Sequence, residues 1–169
     1  MFKMNLLKIR TESALKKNKS PRTSIPYQQA KNIGIIFSVE DKQKHIDIKE
    51  FIRILEQDGK KVHVLEYLPL KKENYEFMFD FFTIEDLNFW GNLNSDKAIQ
   101  FSETPFDYLF CIDTESNSLV LSLLARSKAR CRVGRFNETD SPYFELMIEQ
   151  NGTTKGLIET MYKYTKQLR

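Results

Sequence analysis

Glycine is scarce in this sequence, with six residues among 169. Loops that bind dinucleotides or nucleoside triphosphates need closely spaced glycines, because their backbone N–H groups must approach the phosphates. The turn after the first predicted strand, Ser38–Lys42, contains no glycine, and the sequence has no Walker loop. These absences argue against nucleotide binding of the usual kind, and no cofactor is predicted.

Cysteine and histidine are also sparse, with two residues of each. Cys111 and Cys131 each lie in an apolar stretch, which predicts buried, reduced thiols, and no CxxC or HxxxH spacing indicates a zinc site. His45 and His63 have no adjacent Ser, Cys or acid arranged for nucleophilic catalysis, so we interpret both as structural or merely exposed. The sequence thus predicts neither a metal site nor a catalytic residue.

Long apolar runs are missing as well. No run reaches the roughly 18 residues that a membrane-spanning helix needs. The first residues, Met1–Lys8, lack the long apolar region and cleavage site of a signal peptide. We therefore expect a cytoplasmic protein without a transmembrane segment.

Positive charge is unevenly distributed along the chain. Residues 1–31 contain eight of the 26 basic residues and one of the 23 acidic residues, so this segment carries +7 and the remainder −4. Apolar spacing predicts a short helix over residues 2–17, and two prolines among small polar residues predict a flexible linker after it. We expect two units, a basic N-terminal helix and linker at residues 1–30 and a folded domain at residues 31–169.

Apolar strands alternate with amphipathic helices throughout the predicted domain, while Ser95–Lys97 resembles a turn or a helix start. The predicted strands are 32–39, 61–68, Phe77–Phe81, 99–101, 106–113, 131–136 and 143–150, and the predicted helices are 44–58, 119–125 and 153–168. This order is typical of an α/β fold. We predict a single Rossmann-like domain with a mostly parallel sheet flanked by helices.

The stretch FDYLFCIDTESNSLVLSLLARSKARCRVGRF resembles the N-terminal half of heptosyltransferase-type GT-B glycosyltransferases. That family has an apolar strand ending in Asp, a polar turn, a Leu/Ala-rich helix, a basic stretch and an R-x-G strand. The corresponding segments here are Leu109–Asp113, Thr114–Asn117, Leu119–Ala125, Arg126–Arg130 and Arg132–Gly134. The likeness covers roughly residues 31–136 and implies a Rossmann-like fold.

The sequence also departs from that family. In the family, a Gly-Asp turn and a Thr-Pro helix start supply catalytic and acceptor-binding groups. Here Ser38–Lys42 stands in that place, with neither glycine nor Thr-Pro. The family's second domain has no counterpart in the 169 residues, so the resemblance implies that a partner chain would have to complete the cleft. The whole chain is also similar to an uncharacterised family of small Bacteroidota proteins, and that resemblance implies no activity.

Polar residues lie at the ends of three strands of the predicted sheet, at the edge where open α/β sheets bind ligands. The residues of this possible ligand cleft are Ser38, Asp41, Asp113, Thr114, Asn117 and Arg135. The favoured interpretation is structural: Asp113 or Thr114 caps the helix that follows, and Asp41 begins its own helix.

The basic N-terminal segment gives the most distinctive functional signal. Its cations recur along a helix and a linker, where they can follow a phosphate backbone and release counterions. The candidate RNA-binding residues are Lys3, Lys8, Arg10, Lys16, Lys17, Lys19 and Arg22. A solvated, disordered tail and a membrane-surface helix remain alternatives.

The aromatic stretch 77–90, which includes Trp90, has two interpretations. It could stack on nucleic-acid bases, or it could belong to the core. We favour the core, because few basic residues interleave with these aromatics.

Two functions of different classes follow from the sequence. The first is a non-catalytic binding protein whose basic arm contacts structured RNA, such as ribosomal RNA, and whose α/β body docks a protein. The alternative is a small glycosyltransferase-like or nucleotide-handling enzyme that uses Asp41, Asp113, Asn117 and Arg135 and needs a partner chain.

Overall fold

A computed structural model describes residues 2–75, 79–150 and 152–169. Within these residues the chain forms five α-helices and six β-strands. In chain order they are α1 (Phe2–Lys17), β1 (Asn32–Ser38), α2 (Lys42–Gln57), β2 (Lys61–Tyr67), β3 (Asp80–Phe82), α3 (Asp96–Glu103), β4 (Tyr108–Cys111), α4 (Ser118–Arg126), β5 (Cys131–Arg135), β6 (Leu146–Ile148) and α5 (Thr154–Lys166).

The six strands form one sheet in the order β3-β2-β1-β4-β5-β6. Every pairing between neighbouring strands is parallel. This is the strand order of the Rossmann fold, in which the chain changes direction across the sheet between β1 and β4. The predicted fold class is therefore confirmed.

Hydrophobic side chains cover both faces of the sheet. Ile33, Ile35 and Phe37 of β1 pack with the core that contains α2 and α5. Ile36, on the opposite face of the same strand, joins the core that contains Leu7 of α1. Because both faces are covered, β1 is apolar along almost its whole length rather than alternating.

Helix α1 is present where the sequence predicts it, but it is not detached from the domain. Leu7 is buried in the core formed with α4. Beyond the helix, the Asn18 side-chain amide donates to the carbonyls of Ala125 and Ser127, both at 2.9 Å, and the Thr23 N–H donates to the Arg130 carbonyl at 3.0 Å. The expectation of a flexible linker is therefore corrected, while the division at residue 30 stays a prediction.

The region between β2 and β4 departs most from the predicted elements. Ile99 and Phe101 lie in α3 and not in a strand, because Ser95 caps that helix by accepting the Ala98 N–H at 3.2 Å. Their two-residue alternation is accidental, since Phe101 is buried and Ile99 is exposed. The predicted strand around Phe79 and Phe81 is confined to Asp80–Phe82, and Phe77 lies outside the described residues.

The last predicted strand, at 143–150, is also shorter than expected. Only Leu146–Ile148 pair with β5, and a 3₁₀ helix occupies Glu138–Tyr143 before them. Among the helices of the described residues, none is long and apolar enough to cross a membrane.

Candidate functional site

Asp113 occupies the point where β1 and β4 diverge, which is where Rossmann-like sheets bind ligands. One of its carboxylate oxygens accepts the Ser38 backbone N–H at 2.7 Å, and the other accepts the Ser38 hydroxyl at 2.9 Å. The Lys44 ammonium lies 2.8 Å from Asp113 Oδ1, and the Lys44 side chain is only 2% exposed. The two predicted cleft residues Ser38 and Asp113 do meet, and their contact links the ends of the two strands.

Charged side chains fill the space around this link. The Lys44 ammonium also lies 3.1 Å from Glu40 Oε1. The imidazole of the next residue, His45, contacts the fully buried carboxylate of Glu66, with 2.9 Å between Nε2 and Oε2. Burial raises the pKa of Glu66, and the hydrogen bond from His45 opposes that rise. The carboxyl edge of the sheet thus holds two buried pairs, Lys44 with Asp113 and His45 with Glu66, each made of one basic and one acidic side chain.

Sequence reasoning missed Lys44 and Glu66. Glu66 interrupts the apolar run of β2, and a buried acid in such a strand needs a partner. That interruption was the available signal for Glu66. Lys44 has no comparable signal, because a lysine in the first turn of an amphipathic helix is normally solvated. The expectation that His45 is structural agrees with its burial between Glu66 and the aromatic rings of Phe37, Tyr75 and Phe79.

The remaining predicted cleft residues mostly form hydrogen bonds with backbone groups of this protein. Asp41 begins α2 as expected by accepting the Lys44 N–H at 2.9 Å. Asn117, rather than Asp113 or Thr114, caps α4, since its Oδ1 accepts the N–H groups of Leu119 and Val120. The predicted cap at Asp113 or Thr114 is wrong because Asp113 turns toward β1.

Arg135 also binds the backbone around this turn. Its guanidinium donates to the carbonyls of Thr114 at 2.8 Å and Gln150 at 3.0 Å. The cleft that remains between Asp113, Asn117 and Arg135 has a volume of about 20 Å³, which is room for about one water molecule.

A wider cleft lies along β2, on the side of the sheet that carries β3. It has a volume of about 860 Å³ and lies between α2, α3 and β2, beside the ion pair of Lys97 and Asp80 at 3.5 Å. No residue of the predicted ligand cleft lines it. Within the described parts of the chain, no group of three or more His, Cys, Asp or Glu residues is arranged to hold a metal ion.

The predicted RNA-binding residues divide into exposed and structural ones. Five are exposed to solvent, namely Lys8, Arg10, Lys16, Lys17 and Lys19. Lys3 is half-buried and donates to the Leu87 carbonyl at 3.4 Å. Arg22 donates to the Ala129 carbonyl, and its pKa is lowered by burial and then by the charge of Arg132. Arg22 therefore holds the segment after α1 against the domain.

The fold adds further cations to the end of α1. Because Asn18 bonds to Ala125 and Ser127, the C-terminal ends of α1 and α4 lie side by side. After α4, the side chains of Lys128 and Arg130 point to solvent while Ser127 and Ala129 are buried. We call the resulting surface the basic edge; its residues are Lys16, Lys17, Lys19, Arg126, Lys128 and Arg130.

Electrostatics connect α1 to this edge. Burial lowers the pKa of Arg126, and the positive charge of Arg10 lowers it further. The basic edge lies at the amino ends of the strands, since Arg130 directly precedes β5. It is therefore on the opposite side of the sheet from Asp113.

The interpretation of the aromatic stretch as core is right for Phe82 and wrong for Phe89 and Trp90. Phe82 is fully buried, whereas Phe89 and Trp90 are each 61% exposed. Phe89 and Trp90 lie in the turn Asn88–Asn92, which packs against α1 at Leu6.

Fold and surface together define a Rossmann-like α/β protein with a filled strand-end crevice and a basic edge. The chain belongs to a family of unknown function (DUF6913), whose model matches residues 3–168 and so includes α1 as well as the α/β body. No curated protein and no solved structure matches the chain.

Proposed function

We propose that this protein binds structured RNA, such as ribosomal RNA, through the basic edge, and that the α/β body docks a protein partner. The observation that carries the proposal is the convergence of cations from two distant segments, 16–19 and 126–130, on one surface. A surface of this kind raises the local concentration of phosphate groups and gains affinity when counterions leave the nucleic acid.

The rigidity of this surface favours RNA of defined shape. Main-chain and side-chain hydrogen bonds hold residues 18–23 against α4 and the start of β5. Cations attached to a fixed backbone suit the fixed phosphate spacings of a folded RNA better than the changing spacings of a flexible single strand. A cytoplasmic location, where ribosomal RNA is accessible, is part of the proposal.

The α/β body offers a separate surface for a protein. Strand β3 pairs only with Leu65–Tyr67, so among the described residues the segment Lys61–Val64 of β2 has no strand on that side. The cleft of about 860 Å³ lies beside this open strand edge. An extended peptide can add to such an edge by main-chain hydrogen bonds.

Removing charge from the basic edge tests the proposal. We expect the triple variant Lys16→Gln, Lys17→Gln, Lys19→Gln to bind a folded RNA hairpin about tenfold or more weakly at moderate salt, because each lost phosphate contact removes counterion release. Fluorescence anisotropy at several salt concentrations measures both the affinity and its salt dependence.

The matched control removes three exposed lysines elsewhere, Lys42→Gln, Lys155→Gln and Lys163→Gln. This control changes the net charge equally and should retain most of the affinity. Equal losses in the two variants would mean that only net charge matters, and RNA binding that does not depend on salt would contradict the proposal outright.

A glycosyltransferase-like or nucleotide-handling enzyme is the second candidate. It is supported by the strand order, by the meeting of Ser38 and Asp113 at the divergence of β1 and β4, and by the resemblance of residues 106–136 to GT-B enzymes. A partner chain would have to complete the cleft, since the space beside Asp113 in this chain has a volume of only about 20 Å³. A rise in melting temperature with a nucleotide-sugar, abolished by Arg135→Gln and kept in Lys163→Gln, would favour this candidate over RNA binding.

A further inference from the structure

Three aromatic rings form an exposed cluster beside α1. The ring centroids of Phe2 and Phe89 are 4.9 Å apart, and those of Phe89 and Trp90 are 5.4 Å apart. Phe2 is 53% exposed and the other two rings are 61% exposed. We call these residues the aromatic cluster. Adjacent large rings left in water indicate an interaction surface.

The turn that carries Phe89 and Trp90 is fixed in place. The Asn88 side-chain oxygen accepts the N–H groups of Trp90 and Asn92, both at 3.0 Å. Gly91 has φ +76°, and a Cβ atom at this position would lie 2.7 Å from the backbone of Leu6. The turn therefore packs tightly against α1, and the backbone that carries the two rings is fixed by these contacts.

Cations from α1 lie directly beside the aromatic cluster. The Arg10 guanidinium donates to the Trp90 carbonyl at 2.7 Å, and the Lys3 ammonium donates to the Leu87 carbonyl at 3.4 Å. Lys17 follows Arg10 at the same seven-residue spacing and belongs to the basic edge. These cations therefore run from the cluster toward the basic edge along one side of α1.

We infer that the aromatic cluster stacks on unpaired bases of the RNA whose phosphates bind the basic edge. This inference rests on the proposed function and specifies its ligand as a folded RNA with a single-stranded loop or extension. Aromatic rings stack on any base, and neighbouring cations bind the connecting phosphates. Lys3 and Arg10 donate to neutral carbonyls, so these contacts leave their positive charge available to phosphate.

A contact with a protein partner is less consistent with this surface. Interface cores are depleted in lysine, whereas Lys3 flanks the aromatic cluster and Lys17 lies further along the same row of cations. The sequence did not predict that these cations lie beside the aromatic cluster, because Arg10 and Trp90 are 80 residues apart along the chain.

Trp90 is the single tryptophan of the chain, so its fluorescence reports on the cluster directly. We expect single-stranded oligonucleotides and hairpins with unpaired extensions to quench this fluorescence. A fully paired duplex of the same length should bind the basic edge with much less quenching, because its bases are already stacked.

The variant Phe89→Ala, Trp90→Ala should bind a hairpin with an unpaired extension about fivefold or more weakly, with little change in duplex binding or in salt dependence. Phe136→Ala is the matched control, because Phe136 is an exposed aromatic residue that directly follows β5. An unchanged melting temperature checks that the variants fold.

Equal affinity of the wild type and the double variant for the extended hairpin, or absence of quenching by any RNA, would overturn the inference. Salt-dependent duplex binding that persisted in that case would leave the proposed function intact. If the wild type bound no RNA at all, both the proposed function and this inference would be overturned. If a protein buried Trp90 while no RNA quenched its fluorescence, the aromatic cluster would be a protein interface and the inference would be wrong.

Discussion

Lys44 and Asp113 show how single residues convert a ligand-binding position into part of the core. The two side chains are 2.8 Å apart and nearly inaccessible to water. A buried ion pair stabilises the fold only when both partners are present, because either charge alone would lose its hydration without compensation. We interpret the pair as a link between α2 and β4 rather than as an acid–base pair.

Removing Lys44 should therefore be costly. We expect Lys44→Ala to lower the free energy of unfolding by about 3–5 kcal/mol, because it leaves the Asp113 carboxylate buried with hydrogen bonds from Ser38 alone. Urea denaturation measures this loss. The neighbouring exposed Lys42→Ala should change stability by less than about 0.5 kcal/mol, and similar effects of the two substitutions would contradict the account.

Glu66 gives a prediction with a defined pH dependence. Burial raises its pKa in the folded protein above the ordinary value of 4.5. The folded state then holds the proton more tightly than the unfolded state, so the contribution of Glu66 to stability falls as pH rises from about 4.5 toward the raised pKa.

Glu66→Gln removes this titration. We expect the unfolding free energy of the variant, relative to the wild type, to increase with pH across that interval. Urea denaturation at a series of pH values tests this, and a difference that stays constant or decreases with pH would show that burial does not dominate at Glu66.

At the scale of secondary-structure elements, α1 is an integral layer of the fold. It contacts α4 through Leu7 and the turn at Asn88–Asn92 through Leu6. The amphipathic patterns of α2, α4 and α5 predicted those helices, since their apolar residues face a single core each. The docking of α1 was not predictable, because its apolar stripe is narrow and its partners lie far along the chain.

Substitutions at two glycines test the contact between α1 and the turn Asn88–Asn92, which carries Phe89 and Trp90. Gly59 and Gly91 have similar φ angles, +81° and +76°, but only Gly91 lies against other atoms. Gly59→Ala should cost about 1–2 kcal/mol for the backbone conformation alone. Gly91→Ala should cost about 3 kcal/mol or more, because the new methyl group collides with the backbone of Leu6.

Thermal or urea unfolding of the two variants gives the difference between them. Equal losses would mean that the turn does not pack tightly on α1. Such a result would also weaken the inferred arrangement of the aromatic cluster.

At the scale of the whole molecule, the two edges of the sheet differ in chemistry. At the carboxyl ends of the strands, the pairs Lys44–Asp113 and His45–Glu66 fill the space. At the amino ends lie the exposed cations of the basic edge. The alternation of strands and helices was sufficient to predict the parallel sheet. The basic edge was not predictable in full, because Lys16–Lys19 and Arg126–Arg130 are adjacent only after folding.

The cations that follow α4 distinguish RNA binding by a folded surface from RNA binding by a simple basic tail. A tail would bind RNA through the N-terminal segment alone. A folded edge requires cations that are more than 100 residues away in sequence. Lys128 and Arg130 are the appropriate pair to test, because both are exposed while the residues between and before them are buried.

The most direct measurement is the salt dependence of hairpin RNA binding by the wild type and by Lys128→Gln, Arg130→Gln. The plot of log affinity against log salt concentration should become shallower by about two units in the double variant, about one for each lost phosphate contact. An unchanged slope, with affinity equal to that of the wild type, would show that the basic edge does not bind RNA.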